Sequence, residues 1–167
     1  NLSEMSETYL KFIEEVKSEI QKQRISVVLN ANSSMICLYW NIGRSILKKQ
    51  EEEGWGAKII DRMAKDLKEA FPEMSGFSPR NIKYMRKFAE SWPDFEIVQR
   101  VVAQIPWRTN ISLMDKLKDE ESRIWYAYKV IENGWSKAIL DLQIESKLMD
   151  RSGRSVNNFP AALPPED

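Results

Sequence analysis

The stretch of residues 56–92 constrains the fold of this sequence more than any other part. In its first half the apolar residues Ile60, Met63 and Leu67 recur at three- and four-residue spacing. This spacing places them on one face of an amphipathic helix, which is expected to end near Phe71, just before a proline. The helix therefore has one side that faces a core.

The second half of this stretch predicts another helix after a tight turn. Residues 76–79 read Gly-Phe-Ser-Pro; glycine can adopt the turn, serine can cap free amides and proline suits the first helical position. The new helix is therefore expected to begin at Pro79, with Ile82 and Met85 on its apolar side. Together the two helices predict a helix-turn-helix unit over residues 56–92.

The opposite side of the second helix carries cations and a phenol. Residues 79–91 contain four cations and the single anion Glu90, a net charge of 4 − 1 = +3. A short helix with an apolar inner side and cations outward is typical of a recognition helix beside DNA phosphates. The same pattern also fits a solvated basic face on an ordinary helical domain. The candidate DNA contacts are Arg80, Asn81, Lys83, Tyr84, Arg86 and Lys87.

These candidates divide by side-chain chemistry. Arg80 and the two lysines are expected to contact phosphates, whereas Asn81, Tyr84 and Arg86 are candidates for base or sugar contacts. On the helical wheel Asn81 leans toward the apolar side. Asn81 is therefore the weakest of the candidate contacts, and the alternative for it is a structural role near the start of the helix.

The composition excludes most common enzyme chemistry. The sequence has no histidine, which removes the usual general base, the Ser-His and Cys-His pairs and most zinc sites. Its single Cys37 lies in the apolar run 35–39 and is expected to be a buried, inert thiol. One cysteine also cannot form a disulfide within the chain.

Length and charge limit the domain organisation and the partners. A chain of 167 residues with 43% hydrophobic residues is expected to form one domain with a real core, plus tails. The 25 cations balance 25 anions, so any contact with nucleic acid must be local. No run of about 18 apolar residues and no secretory leader occurs, which predicts a cytoplasmic protein without a membrane segment.

Two long helices are predicted before the helix-turn-helix unit. Apolar residues fall at helical spacing over residues 5–23 and again over residues 25–53, which predicts a helical hairpin or one bent rod. Their apolar stripes exceed what one small domain is expected to cover, which predicts a homodimer. Two-fold symmetry would also suit a DNA binder that reads paired half-sites.

The part of the chain after Trp92 is less clearly patterned. Residues 93–106 are rich in β-branched side chains, which allow either a short helix or a strand that would serve as the wing of a winged helix. Further helices are expected at 110–117, at 120–132 and from Ser136 to residue 148. Helical periodicity ends near residue 150, and residues 151–167 are expected to be a linker or tail.

Short sequence phrases spread along the chain carry a resemblance to a known family. With them the chain resembles the N-terminal domain of the YhcG family, bacterial proteins whose C-terminal half looks like a PD-(D/E)xK nuclease. The resemblance spans nearly the whole chain and implies a winged-helix-like module that binds DNA. The phrases are Trp40-Asn41-Ile42-Gly43, Gly54-Trp55-Gly56, Gly76-Phe77-Ser78, Ile105-Pro106-Trp107, Gly134-Trp135-Ser136 and residues 158–164.

In this family the nuclease domain would follow the linker, beyond the end of this chain. The chain does contain D/E-x-K triplets, such as those beginning at Asp66 and Glu145. Each lies in a stretch with helical rhythm, whereas the nuclease site needs carboxylates on neighbouring strands around magnesium. The chain alone is therefore expected to have no nuclease activity and no cofactor, and magnesium is expected only for the absent nuclease domain.

These observations predict a mainly α-helical domain that targets a nuclease to DNA. Its expected partners are duplex DNA, its own C-terminal nuclease domain and a second copy of the chain. The alternative is a protein-interaction or oligomerisation module without direct DNA contact. Zero net charge favours the alternative, whereas the clustered cations of residues 79–91 and the family resemblance favour DNA.

Overall fold

A computed structural model describes residues 2–26 and 31–153. These residues form α-helices and one turn of 3₁₀ helix at Val102–Gln104, and no strand occurs among them. The chain divides into two compact units, residues 1–90 and 91–167. The helices are α1 (Leu2–Ser26), α2 (Ala31–Glu53), α3 (Lys58–Ala70), α4 (Pro79–Ser91), α5 (Phe95–Arg100), α6 (Trp107–Lys116), α7 (Glu120–Asn133), α8 (Lys137–Glu145) and α9 (Leu148–Ser152).

The mainly α-helical fold class is confirmed, and so are the two long N-terminal helices. Residues 27–30, which the periodicity placed inside the second of them, lie outside the described residues. So do residues 154–167, which make up most of the predicted linker. None of the helices in the described ranges is long and apolar enough to cross a membrane.

In the first unit, the apolar stripe of α1 packs against α2 and α3. The Tyr9 hydroxyl donates a hydrogen bond of 2.7 Å to the Asp66 carboxylate, and the Arg62 guanidinium lies 3.8 Å from the centre of the Tyr9 ring. Burial, together with this hydrogen bond, raises the pKa of Tyr9 well above its ordinary value. Trp55 meets Phe12 edge-on at 5.3 Å between ring centres. An aromatic cluster therefore holds α1 to the start of α3.

The second long helix approaches α4 at a glycine. A Cβ atom added to Gly43 would overlap the carbonyl oxygen of Met85 and would lie 3.1 Å from the backbone nitrogen of Arg86. Only a residue without a side chain lets the two helix backbones come this close. Cys37, on the same helix, is half-buried rather than fully buried, so the expected burial of its thiol is only partly met.

In the second unit, residues 93–106 contain α5 and the 3₁₀ turn but no strand, so the wing alternative is wrong. The Asp94 side chain accepts a hydrogen bond of 2.9 Å from the Glu96 amide and starts α5. The fully buried amide of Asn110 then donates to the carbonyl oxygens of Val102 and Ile105. These bonds stabilise a helical turn where a strand would need a neighbouring strand for its backbone groups.

The end of the predicted helix near residue 148 also needs correction. The Ser136 side chain caps α8 as expected, by accepting from the Ile139 amide at 3.2 Å. The helix ends at Glu145, however, because Lys147 adopts a left-handed backbone conformation with φ of 57°. The chain then turns into the separate short helix α9.

A polar cluster joins α6 to α8 within this unit. Lys137 lies 2.9 Å from one oxygen of Asp141, and Lys116 lies 3.4 Å from the other. Desolvation opposes ionisation of Asp141, but hydrogen bonds from Lys137 and Ser112, with the charge of Lys116, outweigh it and hold the pKa of this carboxyl below its ordinary value. The ionised carboxylate therefore contributes to the packing of α6 against α8.

Candidate nucleic-acid interface

The connection that leads into α4 covers residues 71–78. The aromatic rings of Phe71 and Phe77 are buried and lie 6.5 Å apart, and they anchor the two ends of this connection in the core. The connection is longer than the three or four residues that usually join the helices of a helix-turn-helix unit. The two helices thus occur in the predicted order, and their assignment as a helix-turn-helix unit stays a prediction.

Side-chain hydrogen bonds determine where α4 begins. The helix starts at Pro79, as predicted, and the Ser78 hydroxyl accepts a hydrogen bond of 3.1 Å from the backbone N–H of Asn81. The Asn81 side chain in turn donates to the Gly76 carbonyl at 2.8 Å. Among the sequence-predicted DNA contacts, Asn81 is therefore the one whose side chain is engaged in the preceding turn.

Gly76 is required in this turn for two reasons. Its φ of 106° is a conformation that side chains rarely allow, and a Cβ atom there would overlap the Tyr39 hydroxyl. Burial raises the pKa of Tyr39, and a hydrogen bond with Asn81 partly offsets this. Tyr39 of α2 therefore packs against the loop at Gly76 and bonds to Asn81. These contacts orient the first turn of α4.

The inner side of α4 is buried. Ile82, Met85 and Phe88 are each 0% exposed, and Ala89 is buried with them. The burial predicted for Ile82 and Met85 from the helical wheel is confirmed. The prediction did not include Phe88, which follows Met85 by three residues and could have been found by that spacing.

The outer side of α4 brings together the other five predicted contacts. Arg80, Lys83 and Lys87 are exposed, whereas Tyr84 and Arg86 are half-buried. We call these five side chains the cationic face of α4. They line an open depression of about 500 Å³. Within the described parts of the chain, no ion pair neutralises Arg80, Lys83 or Arg86.

Two further residues line the depression, and neither was predicted from the sequence as part of the site. Glu90 comes from the end of α4 and Gln50 from α2. Gln50 follows Gly43 by seven residues, which is two helical turns, so both lie on the face of α2 that meets α4. The seven-residue spacing indicates Gln50 only when the contact between α2 and α4 at Gly43 is already known.

The described residues offer no metal centre. No group of three His, Cys, Asp or Glu side chains in residues 2–26 and 31–153 is placed to hold a metal ion. Of the D/E-x-K triplets, Asp66 lies in α3 and accepts from Tyr9, and Glu145 ends α8 and pairs with Lys116 at 3.5 Å. The predicted helical setting is confirmed for the triplet that begins at Asp66, whereas the triplet that begins at Glu145 leaves α8 and runs through the turn to Lys147.

Comparison with models of protein families gives a match. A family model described as the DUF1016 N-terminal domain matches residues 15–151. This is the N-terminal domain of the YhcG-like family, which agrees with the resemblance drawn from the sequence phrases. A search of curated proteins and a search of solved structures gave no match.

Proposed function

This chain belongs to the DUF1016 N-terminal domain family, and we propose that it is a DNA-binding module whose contact surface is the cationic face of α4. In a full-length protein of the kind that the resemblance implies, it would position the C-terminal nuclease domain on duplex DNA. It acts without catalysis or a cofactor of its own, and magnesium belongs to the nuclease domain. DNA as the partner places it in the cytoplasm.

The observation that supports this proposal is that α4 has a buried apolar side and, opposite it, a side that carries the cations. Its inner side is fully buried, while its outer side presents four cations around one depression. The backbone that carries these charges is already ordered, so binding to phosphates costs little further backbone freedom. A face that served only to keep the protein soluble would be expected to mix both charges more evenly.

The individual roles follow from position. Arg80, Lys83 and Lys87 are exposed and would contact phosphates, while Tyr84 and Arg86 lie deeper and would reach sugars or bases. Asn81 contributes indirectly, because its side chain fixes the turn before α4.

Affinity for DNA is expected to be modest and to depend strongly on salt. Each phosphate that a lysine or arginine neutralises releases counterions, so three or four such contacts give a slope of about −3 in a plot of log affinity against log salt concentration. A protein with zero net charge has no overall field to add to this local effect.

Charge reversal tests the proposal. In the triple variant Arg80→Glu, Lys83→Glu, Lys87→Glu, binding to a labelled duplex in fluorescence anisotropy is expected to be lost. The melting temperature should change little, because substitutions on an exposed face usually cost under about 0.5 kcal/mol each.

A matched control is available on α3. The side chains of Lys58, Lys65 and Lys68 are also exposed, and reversing these three changes the net charge by the same amount. This control is expected to keep most of its affinity for DNA. The proposal is wrong if the α4 variant binds as tightly as the parent, or if both variants lose binding equally.

The second candidate function is a protein-interaction or oligomerisation module. It is supported by large apolar side chains that remain exposed, such as Leu10 at 53% and Leu142 at 61%, and by the zero net charge. If the parent does not bind duplex DNA at low salt and is a dimer by light scattering, this function becomes the better account.

A further inference from the structure

Tyr84 is the aromatic member of the cationic face, and its position is informative. It is half-buried and contributes to the lining of the depression rather than to the core. The Arg80 guanidinium lies over its ring, 5.2 Å from the ring centre, in a cation–π contact. Aromatic rings placed among cations on a surface are typical of sites where nucleic-acid bases stack.

We propose that Tyr84 is a stacking platform for an unpaired base, so that the DNA bound by this domain is a duplex that adjoins unpaired nucleotides. This inference rests on the proposed function and names its substrate class. In continuous duplex DNA both faces of each base are covered by neighbouring base pairs, and an aromatic side chain can stack on a base only when that base is unstacked.

The spacing of charges around Tyr84 supports the same substrate. Arg80 precedes Tyr84 by four residues and Lys87 follows it by three, so a cation lies about one turn away on each side of the ring. A nucleotide stacked on the ring would place its two flanking phosphates next to these cations. The remaining cations, Lys83 and Arg86, would be available for the backbone of the adjoining duplex.

The shape of the surface agrees with this arrangement. The cations and the ring border an open, shallow depression of about 500 Å³, so a base placed on the ring would lie among the cations.

Three labelled DNAs of the same duplex sequence test the inference. One is blunt, the second carries an unpaired 3′ extension, and the third carries the same extension built from abasic sites, which keeps the phosphates and removes the bases. The parent is expected to bind the ordinary extension about tenfold more tightly than the abasic one, a ratio within the range measured for one stacked base, and to bind the abasic extension at least as tightly as the blunt duplex, because its phosphates remain. Equal binding of the ordinary and the abasic extension would overturn the inference.

Two variants separate stacking from other roles of the phenol. Tyr84→Phe keeps the ring and is expected to keep the tenfold preference. Tyr84→Ala is expected to lose it while the slope against salt stays unchanged, because the cations remain. If Tyr84→Ala keeps the preference, the platform is not Tyr84 and the inference is wrong.

A measurement on the parent avoids any effect of the variants on folding. A 2-aminopurine in the unpaired position is expected to lose fluorescence when the parent binds, because it stacks on the ring, and unchanged fluorescence in the bound state would count against the inference.

If the three DNAs bind equally well and the charge-reversed variant still fails to bind, only this inference fails. If the charge-reversed variant binds as well as the parent, the proposed function fails.

Discussion

Replacing Gly43 with alanine should separate α2 from α4, and the structure gives the reason in detail. The added Cβ atom would overlap the carbonyl oxygen of Met85 and crowd the Arg86 nitrogen. Both are backbone atoms in the middle of a helix, so neither can rotate away as the end of a flexible side chain could. One of the helices has to move until the normal contact distance of about 3.5 Å is restored.

The expected loss of stability combines two opposing effects. Overpacking a well-filled core costs about 1–3 kcal/mol. Removing a glycine from a helix interior returns about 0.8–1 kcal/mol, because alanine has the higher helix propensity. Because the overlap is with backbone atoms, the overpacking cost should lie in the upper half of that range, about 2–3 kcal/mol, and the free energy of unfolding should therefore fall by roughly 1–2 kcal/mol. For a chain of this size that corresponds to a decrease of about 2–8 °C in melting temperature.

Thermal unfolding followed by circular dichroism is a suitable assay, and the chain contains a matched control. Gly56 has open space around its Cβ position and does not have a positive φ, so Gly56→Ala should not lower the melting temperature. The described contact between α2 and α4 would be refuted if Gly43→Ala melted at or above the temperature of the parent, since helix propensity alone predicts that increase.

Three further predictions concern the core, the effect of pH and activity. Met85→Ala removes a fully buried side chain and is expected to cost about 2–5 kcal/mol in urea unfolding; a loss below about 0.5 kcal/mol, the level of a surface substitution, would contradict its burial. Because the folded state lowers the pKa of Asp141, its stabilisation is present above the unfolded value of about 3.9 and is lost as the pH falls through the lower folded value. The destabilisation by Asp141→Asn should therefore be seen at neutral pH and shrink below about pH 4, and a cost that stayed constant with pH would argue against the ion cluster. Plasmid DNA incubated with this chain and magnesium is expected to remain intact, and cleavage that disappeared in Asp66→Ala would overturn that expectation.

The start of α4 was predictable because its signals are local. Serine before proline, and an apolar side that repeats every three or four residues, depend only on contacts within one or two turns. The structure confirms Pro79 as the first residue of α4 and Ser78 as the residue that accepts from a free amide. The same periodicity predicted that the cations lie at the surface, because they occupy the side of α4 opposite its buried apolar residues.

The position of Asn81 shows where such local reasoning stops. Its wheel position leans toward the apolar side, so the sequence made it the weakest candidate for a base contact and left a structural role as the alternative. The choice depends on Tyr39, a residue far away in the sequence whose hydroxyl lies under Gly76. In the same way, residues 93–106 were open to strand or helix until the buried Asn110 side chain bonded to two carbonyl groups of the turn.

The sequence by itself determined the two long helices and α4, the order of the predicted helices, and the side of α3 and α4 that faces a core, because helical hydrogen bonds and periodicity act over only a few residues. Only the tertiary structure decided that Gly43 meets the backbone of Met85, that Gln50 joins the cations of α4, and that together they surround a depression. Such contacts depend on how two helices cross and how closely they approach. Crossing and distance follow from the shapes of many side chains packed at once, which no single stretch of sequence contains.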